Sequence, residues 1–180
     1  MRKIGIYLLL LLIFTSCKSY FTVNLNSEKI SEKKIKTIIT TNFPENTIFS
    51  ISAERIYKRK KNPNYYRGIH YYSSEYGVKD GKIEFTFDIN DKKWINDYNE
   101  QRERELRRNN KDFTEIDYKS IKDSIEISII YSPKFLFNQE DSVKKILGNK
   151  GENINGKGTI KIEDIRIFKK SINIYNKFEQ

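Results

Sequence analysis

The sequence predicts an α+β fold with a mainly antiparallel sheet and two or three helices. Several segments alternate apolar and polar residues, which is typical of strands with one buried face. Other segments space their apolar residues three or four positions apart, as an amphipathic helix does. No proline-, glycine- or serine-rich linker and no internal repeat divides the chain, so residues 28–180 are predicted to form a single domain.

The first element predicted in this domain is a helix that begins after Ser27 or Ser31 and ends near Asn42. Pro44 follows its end, where it cannot disturb the helix. The apolar residues assigned to one side of this helix are Ile30, Ile35, Ile38 and Ile39.

The clearest strand signal follows the predicted turn Lys79-Asp80-Gly81. Phe85 and Phe87 alternate there with polar residues such as Thr86, so we expect the two phenylalanines to be buried and Thr86 to face solvent. Further strands are predicted over residues 49–57, 65–76 and 125–131 and over 160–167, the last interrupted by a bulge or tight turn at 163–164.

Two more helices complete the prediction, one over about residues 91–109 and a short one over about 139–147. Asn90 or Asp91 is expected to cap the first of them. Trp94, Ile95, Tyr98 and Leu106 lie along one side of it, which predicts the buried face.

The composition limits the function classes that fit this chain. It has 180 residues, a formal net charge of +10 and a single cysteine, Cys17. One cysteine excludes an intramolecular disulfide and a Cys-based metal or redox centre in the folded part. The positive charge favours anionic surfaces as partners, although the Ile-, Lys- and Asn-rich composition also fits an AT-rich genome.

The N-terminus has the pattern of a secretory signal. Arg2 and Lys3 precede an apolar run over residues 4–14, which is too short for a stable membrane-spanning helix, and small residues precede Cys17. The segment Phe14-Thr15-Ser16-Cys17 resembles the lipobox of bacterial lipoproteins, although Phe14 replaces the usual leucine. The resemblance implies a signal peptide over residues 1–16, acylation of Cys17 and a lipidated tether over residues 17–27.

The same resemblance implies a location. Such a protein is exported to the cell envelope and held on a membrane through acylated Cys17. Lys18 stands where an aspartate would favour the inner membrane, so the outer membrane is expected. Nucleic acid is not expected as a partner of a protein that leaves the cytoplasm. Phe21, Val23 and Leu25 alternate within the tether and are also compatible with the beginning of a strand.

No catalytic or metal-binding constellation is recognisable in the sequence, and no cofactor is predicted. His70 is the only histidine and has no thiol in the domain to act with. The stretch Gly151–Lys157 has glycine and lysine at P-loop spacing, but Gly158 stands where Ser or Thr is needed, so a surface loop is expected. Asp88, Asn90 and Asp91 lack the glycine and glutamate of a calcium loop.

The candidate binding surface is the tyrosine-rich segment between residues 57 and 76. Exposed tyrosines beside cations can stack on sugars or hold anionic groups. If neighbouring residues of a strand point to opposite faces, one tyrosine of each adjacent pair faces solvent. The alternative is that the tyrosines stabilise the sheet and the cations are solvated. The candidate residues are Tyr65, Tyr66, Arg67, His70, Tyr71 and Tyr72.

The sequence therefore favours a membrane-anchored envelope module that binds a partner protein or an anionic glycan without catalysis. Two alternatives stay open. One is an envelope hydrolase that uses paired carboxylates, and the other is a protective protein that neutralises a toxin or an enzyme.

Overall fold

The computed structural model describes residues 20–133 and 139–178. The predicted signal peptide and Cys17 lie outside the described residues. The strands are β1 (Val23–Ser31), β2 (Lys34–Thr41), β3 (Ile48–Arg59), β4 (Asn62–Gly77), β5 (Lys82–Asp88), β6 (Ile116–Asp117), β7 (Ser124–Tyr131), β8 (Thr159–Ile162) and β9 (Ile165–Tyr175). The helices are α1 (Asp91–Arg107) and α2 (Asp141–Leu147), with one 3₁₀ turn at Tyr118–Ser120.

The strands form two antiparallel sheets. The small sheet has the order β1-β2-β5, and the large sheet has the order β4-β3-β7-β9-β8, with β6 paired to one end of β3. The chain passes from the large sheet to the small one between β4 and β5, where the Val78 N–H donates to the Thr47 carbonyl at 2.9 Å. A mainly antiparallel α+β fold is therefore confirmed.

The inner faces of the two sheets enclose the main hydrophobic core. Phe43 lies at its centre, with its ring centroid 5.0 Å from that of Phe49 and 5.2 Å from that of Phe168. Burial of aromatic and β-branched side chains is the main driving force for folding of such a domain. A second cluster lies between α1 and the remaining part of the large sheet, and it is built from Tyr57, Trp94, Tyr98, Phe113 and Ile116.

The predicted hairpin turn and strand β5 are confirmed. Asp80 and Gly81 both have positive φ, at 51° and 68°, and Lys79 and Lys82 exchange two backbone hydrogen bonds. That geometry is a type I′ turn, which matches the twist of the flanking strands. Phe85 is 5% exposed and Phe87 is 3% exposed, as the alternation predicts.

The helix predicted to end near Asn42 is wrong, because this segment forms the β1–β2 hairpin. Ile35, Thr37 and Ile39 are buried at every second position, which is the strand period. Isoleucine and threonine dominate β2, and their branched side chains pack well on a pleated sheet. The spacing of the isoleucines fits a helix as well as a strand, so it could not decide between them.

The folded part also begins earlier than predicted. Val23 opens β1 and is 2% exposed, and Phe21 is 5% exposed and packs on Phe43 with a centroid distance of 4.6 Å. Residues 21–27, which the sequence analysis assigned to a tether, therefore belong to the domain.

Two further local predictions are confirmed, whereas the buried face predicted for α1 is right at Trp94 and Tyr98 and wrong at Leu106, which is 44% exposed. Asn90 caps α1 by accepting a hydrogen bond from the Lys93 N–H at 2.9 Å. The interruption at 163–164 is a tight turn between β8 and β9, with Glu163 at a φ of 54°. In the described part of the chain, neither helix is long and apolar enough to cross a membrane.

Candidate functional site

The tyrosine-rich segment predicted as a binding surface forms β4, at one edge of the large sheet. Its register against β3 shifts after Ala53, which pairs with Tyr72, while the next residue, Glu54, pairs with His70. Tyr71 is therefore the extra residue of a β-bulge. A bulge places two consecutive side chains on the same side of a strand.

Because of this bulge, the prediction that Tyr71 and Tyr72 point to opposite faces is wrong. Both are half-buried on the inner side of the sheet. The Tyr72 ring stacks on Phe85 at a centroid distance of 5.1 Å and a plane angle of 12°. Burial, followed by the hydrogen bond to Tyr76, raises the pKa of Tyr72 to about 12. These two tyrosines pack against the core, with part of each side chain still exposed.

The other four predicted residues are exposed but do not form one surface. Tyr66 pairs with Lys58 and shares the outer face with His70, whose Nδ1 lies 3.6 Å from Glu54 Oε1. Arg67 pairs with the buried Tyr57, so it belongs to the opposite face of the strand. Tyr65 has the parity of Arg67 and is 66% exposed. The predicted patch is thus divided between two faces.

A cleft of about 450 Å³ lies between β4, β5 and the beginning of α1, and it includes three of the predicted residues. His70, Tyr71 and Tyr72 contribute one wall. Asp88 and Asp97 lie at the rim, and each is paired with a lysine, at 3.8 Å to Lys34 and 2.7 Å to Lys93 respectively.

Beneath this cleft lies an ionic network that the sequence analysis missed. Arg55 is fully buried, and its guanidinium donates to Asp91 Oδ1 at 3.1 Å and to Asp91 Oδ2 at 3.3 Å. It also donates to the Tyr71 hydroxyl at 2.7 Å and to the Asn176 side-chain oxygen at 2.7 Å. A buried arginine needs this complete set of acceptors because an unpaired charge in the core is very costly.

The network fixes the position of α1. Asp91 is the first residue of the helix, and its carboxylate also accepts hydrogen bonds from Tyr71 and from Trp94 Nε1. Burial, followed by the hydrogen bond to Asp91, raises the pKa of Tyr71 well above its usual range. Further along the helix, the Tyr98 ring packs on Tyr57 with centroids 5.6 Å apart. The second half of α1 is thereby held over the far end of β3.

A basic pocket of about 320 Å³ opens at that end, where α1, the β3–β4 turn and the loop after α1 meet. Four of its lining residues are cations and only one is an acid, which gives a net charge of +3. Leu106 and Phe113 give the pocket an apolar part. The lining residues are Lys60, Lys61, Arg102, Leu106, Lys111, Phe113, Thr114 and Glu115.

Glu115 organises one wall of the pocket. Its two carboxylate oxygens accept from Lys60 Nζ at 2.6 Å and from Arg102 Nη2 at 3.2 Å. The hydrogen bond from Lys60, followed by the charges of Lys60 and Arg102, lowers the pKa of Glu115. This carboxylate therefore stays ionised and pairs with two of the cations. In the described part of the chain, the structure shows no ion pair for Lys61 or Lys111.

Two arginine donors beside the pocket are not used within the described residues. The Nε atoms of Arg59 and Arg102 are buried and have no acceptor there. The Arg59 guanidinium lies 3.9 Å from the centroid of the Phe113 ring, which forms part of the pocket. Buried donors without partners are uncommon in folded proteins. Both Nε atoms are closed to solvent, so the positive charge that faces the pocket comes from its lining cations.

Lys60 and Lys61 belong to the basic run Lys58-Arg59-Lys60-Lys61 of the tyrosine-rich segment, whose cations the sequence left either beside a binding surface or solvated. Arg102, Lys111 and Glu115 carried no signal, because they are distant in sequence and only the fold brings them together. Arg55 carried one. It shares the buried parity of Ala53 and Tyr57, so a charge at that position predicts a buried partner.

Comparison with protein-family models, with curated proteins and with solved structures finds no match to this chain. No group of histidine, cysteine and acidic side chains that could hold a metal ion is found among residues 20–133 and 139–178.

Proposed function

We propose that this chain is an exported bacterial lipoprotein, held on the cell envelope by acylated Cys17, whose folded part binds an anionic glycan without catalysis. The basic pocket carries this proposal. Its cations and its apolar walls match a sugar ring that bears sulfate, phosphate or carboxylate groups. The 450 Å³ cleft gives weaker support to a hydrolase, because its rim carboxylates Asp88 and Asp97 are each ion-paired with a lysine.

The place of the pocket supports this function. Strand β3 begins at Ile48, beside the core formed by Phe21 and Phe43, and ends at Arg59, beside the pocket. At about 3.3 Å per residue the two ends of β3 are roughly 35 Å apart. A protein anchored just before residue 20 would therefore present the pocket away from its own membrane.

The first test concerns the pocket. We expect the doubly substituted variant Lys61→Glu, Lys111→Glu to bind a sulfated polysaccharide such as heparin at least about tenfold more weakly, because each reversed charge removes on the order of 1 kcal/mol of attraction. Affinity should be measured by titration calorimetry at two salt concentrations, since binding by charge weakens as salt rises.

The matched control reverses Lys92 and Arg104, which are exposed on other sides of α1 and do not line the pocket. This variant has the same net charge and should retain most of the affinity. An equal loss of affinity in both variants would show that binding depends on net charge and not on the pocket. The proposal would be refuted if the wild type bound neither heparin, nor desulfated heparin, nor a phosphorylated glycan.

The second test concerns the anchor. Replacing Cys17 with serine removes the only acylation site, so the protein should leave the membrane fraction or remain unprocessed. A fatty-acid analogue fed to the producing cells should label the wild type and not the variant. Wild-type protein that takes up no label would contradict the assignment as a lipoprotein.

A further inference from the structure

The β8–β9 hairpin carries an exposed apolar patch at the edge of the large sheet. Ile160 pairs with Ile167, and Ile162 pairs with Ile165, so the four side chains lie together on the outer face. Ile160 is 43% exposed and Ile162 is 53% exposed. Isoleucines in adjacent cross-strand pairs form a continuous apolar surface, which a monomeric protein seldom exposes without a use.

Lysines flank this patch on the side where the described chain begins. Lys157 and Lys169 are exposed and line a groove of about 660 Å³ together with Phe21 and Val23. The Phe21 N–H donates to the Asn155 carbonyl at 2.7 Å, which joins the start of the domain to the loop that carries Lys157. The beginning of the domain, the lysines and the isoleucines therefore share one region of the molecule.

From this arrangement we infer that the hairpin patch, defined as Ile160, Ile162, Ile165, Ile167 and Lys169 with the adjacent Lys157, lies on the surface of an anionic phospholipid membrane. The inference rests on the proposed acylation of Cys17. Only three residues separate Cys17 from Phe21, so a fully extended chain places the lipid within about 14 Å of the domain. The acyl chains would hold the patch at the membrane, where isoleucines enter the interface and lysines bind lipid phosphates.

A second copy of the chain is a poorer occupant of this surface. Pairing two β8 edges would bring Lys157 and Lys161 of both copies close to one another, and like charges across an interface oppose association. An anionic lipid surface neutralises the same lysines. The exposed Glu163 and Asp164 at the hairpin turn offset part of this positive charge, although Asp164 is paired with Lys150, so the position of the anchor is the stronger argument for the membrane.

The test uses the full-length acylated protein in phosphatidylglycerol-containing vesicles. A cysteine introduced as Ile162→Cys is labelled with an environment-sensitive dye, and Tyr65→Cys, at the other end of the molecule and 66% exposed, is the matched control. We expect blue-shifted emission and quenching by brominated lipids at position 162 and neither at position 65. Replacing Lys157 and Lys169 with glutamate should abolish the shift, whereas replacing Lys92 and Arg104 should not.

The outcomes are distinguishable. Wild-type protein has no free thiol if Cys17 is acylated, so dye uptake by the wild type shows that the anchor has failed, whatever the orientation. With the anchor intact, equal emission at both positions overturns the inference. A dye at position 162 that is shielded but insensitive to brominated lipids also overturns it, in favour of self-association.

Discussion

Replacing Arg55 with methionine should lower the free energy of unfolding by about 3–5 kcal/mol, because it leaves the buried Asp91 carboxylate without its counter-charge. That loss is a large part of the 5–15 kcal/mol typical of a domain. Lysine should not rescue the site, since one ammonium cannot reach acceptors on Asp91, Tyr71 and Asn176 together. Urea unfolding followed by the fluorescence of Trp94 measures the effect at the network itself, because Trp94 Nε1 donates to Asp91.

The control for this prediction is Arg104→Met, which changes an exposed arginine of α1 and should alter stability by no more than about 0.5 kcal/mol. Removing both charges, as Arg55→Met with Asp91→Leu, should cost less than the sum of the two single changes, because no uncompensated charge remains. Additive losses, or equal losses for Arg55→Met and Arg104→Met, would show that the ion pair does not hold α1 in place.

The second large effect is expected at Phe85. Its ring is 5% exposed and packs on Tyr72 at 5.1 Å and on Tyr76 at 5.8 Å, so truncation to alanine leaves a cavity between the two sheets. The expected loss is about 3–5 kcal/mol. Thr86 is the next residue of the same strand and lies on the solvent face, so Thr86→Ala should change the free energy of unfolding by no more than about 0.5 kcal/mol.

Thermal denaturation of Phe85→Ala and Thr86→Ala separates a cavity effect from a general effect of altering β5. The two changes lie on adjacent residues and alter the same strand, so any difference between them reports which face is buried. Similar melting temperatures for the two variants would refute the assignment of the inner face.

The local sequence determined the elements whose pattern has a single interpretation. Strand β5 and its type I′ turn follow from strict alternation and from Asp80-Gly81, and α1 follows from Asn90 and the spacing of Trp94 and Tyr98. These features depend on contacts between residues close in the chain, which is why a reading of short segments finds them.

The β1–β2 hairpin and the β4 bulge were not determined in this way. The isoleucines of residues 30–39 satisfy a helical and a strand spacing, and the choice was made by pairing of β2 with β5. At the bulge, the Tyr71 hydroxyl binds Arg55 and Asp91, which come from two distant parts of the chain. Register and bulges depend on the partner strand, which the segment itself does not contain.

The candidate site shows the same division. Sequence alone supplied the basic run at Lys60 and Lys61, the anchor prediction at Cys17 and the net positive charge. Only the tertiary structure decided that Arg102 and Lys111 join that run in one pocket, and that Tyr71 and Tyr72 pack against the core while Tyr65 and Tyr66 stay exposed. The reason is physical: a binding pocket depends on which surfaces the packed core leaves adjacent, and burial of the core is a property of the whole chain.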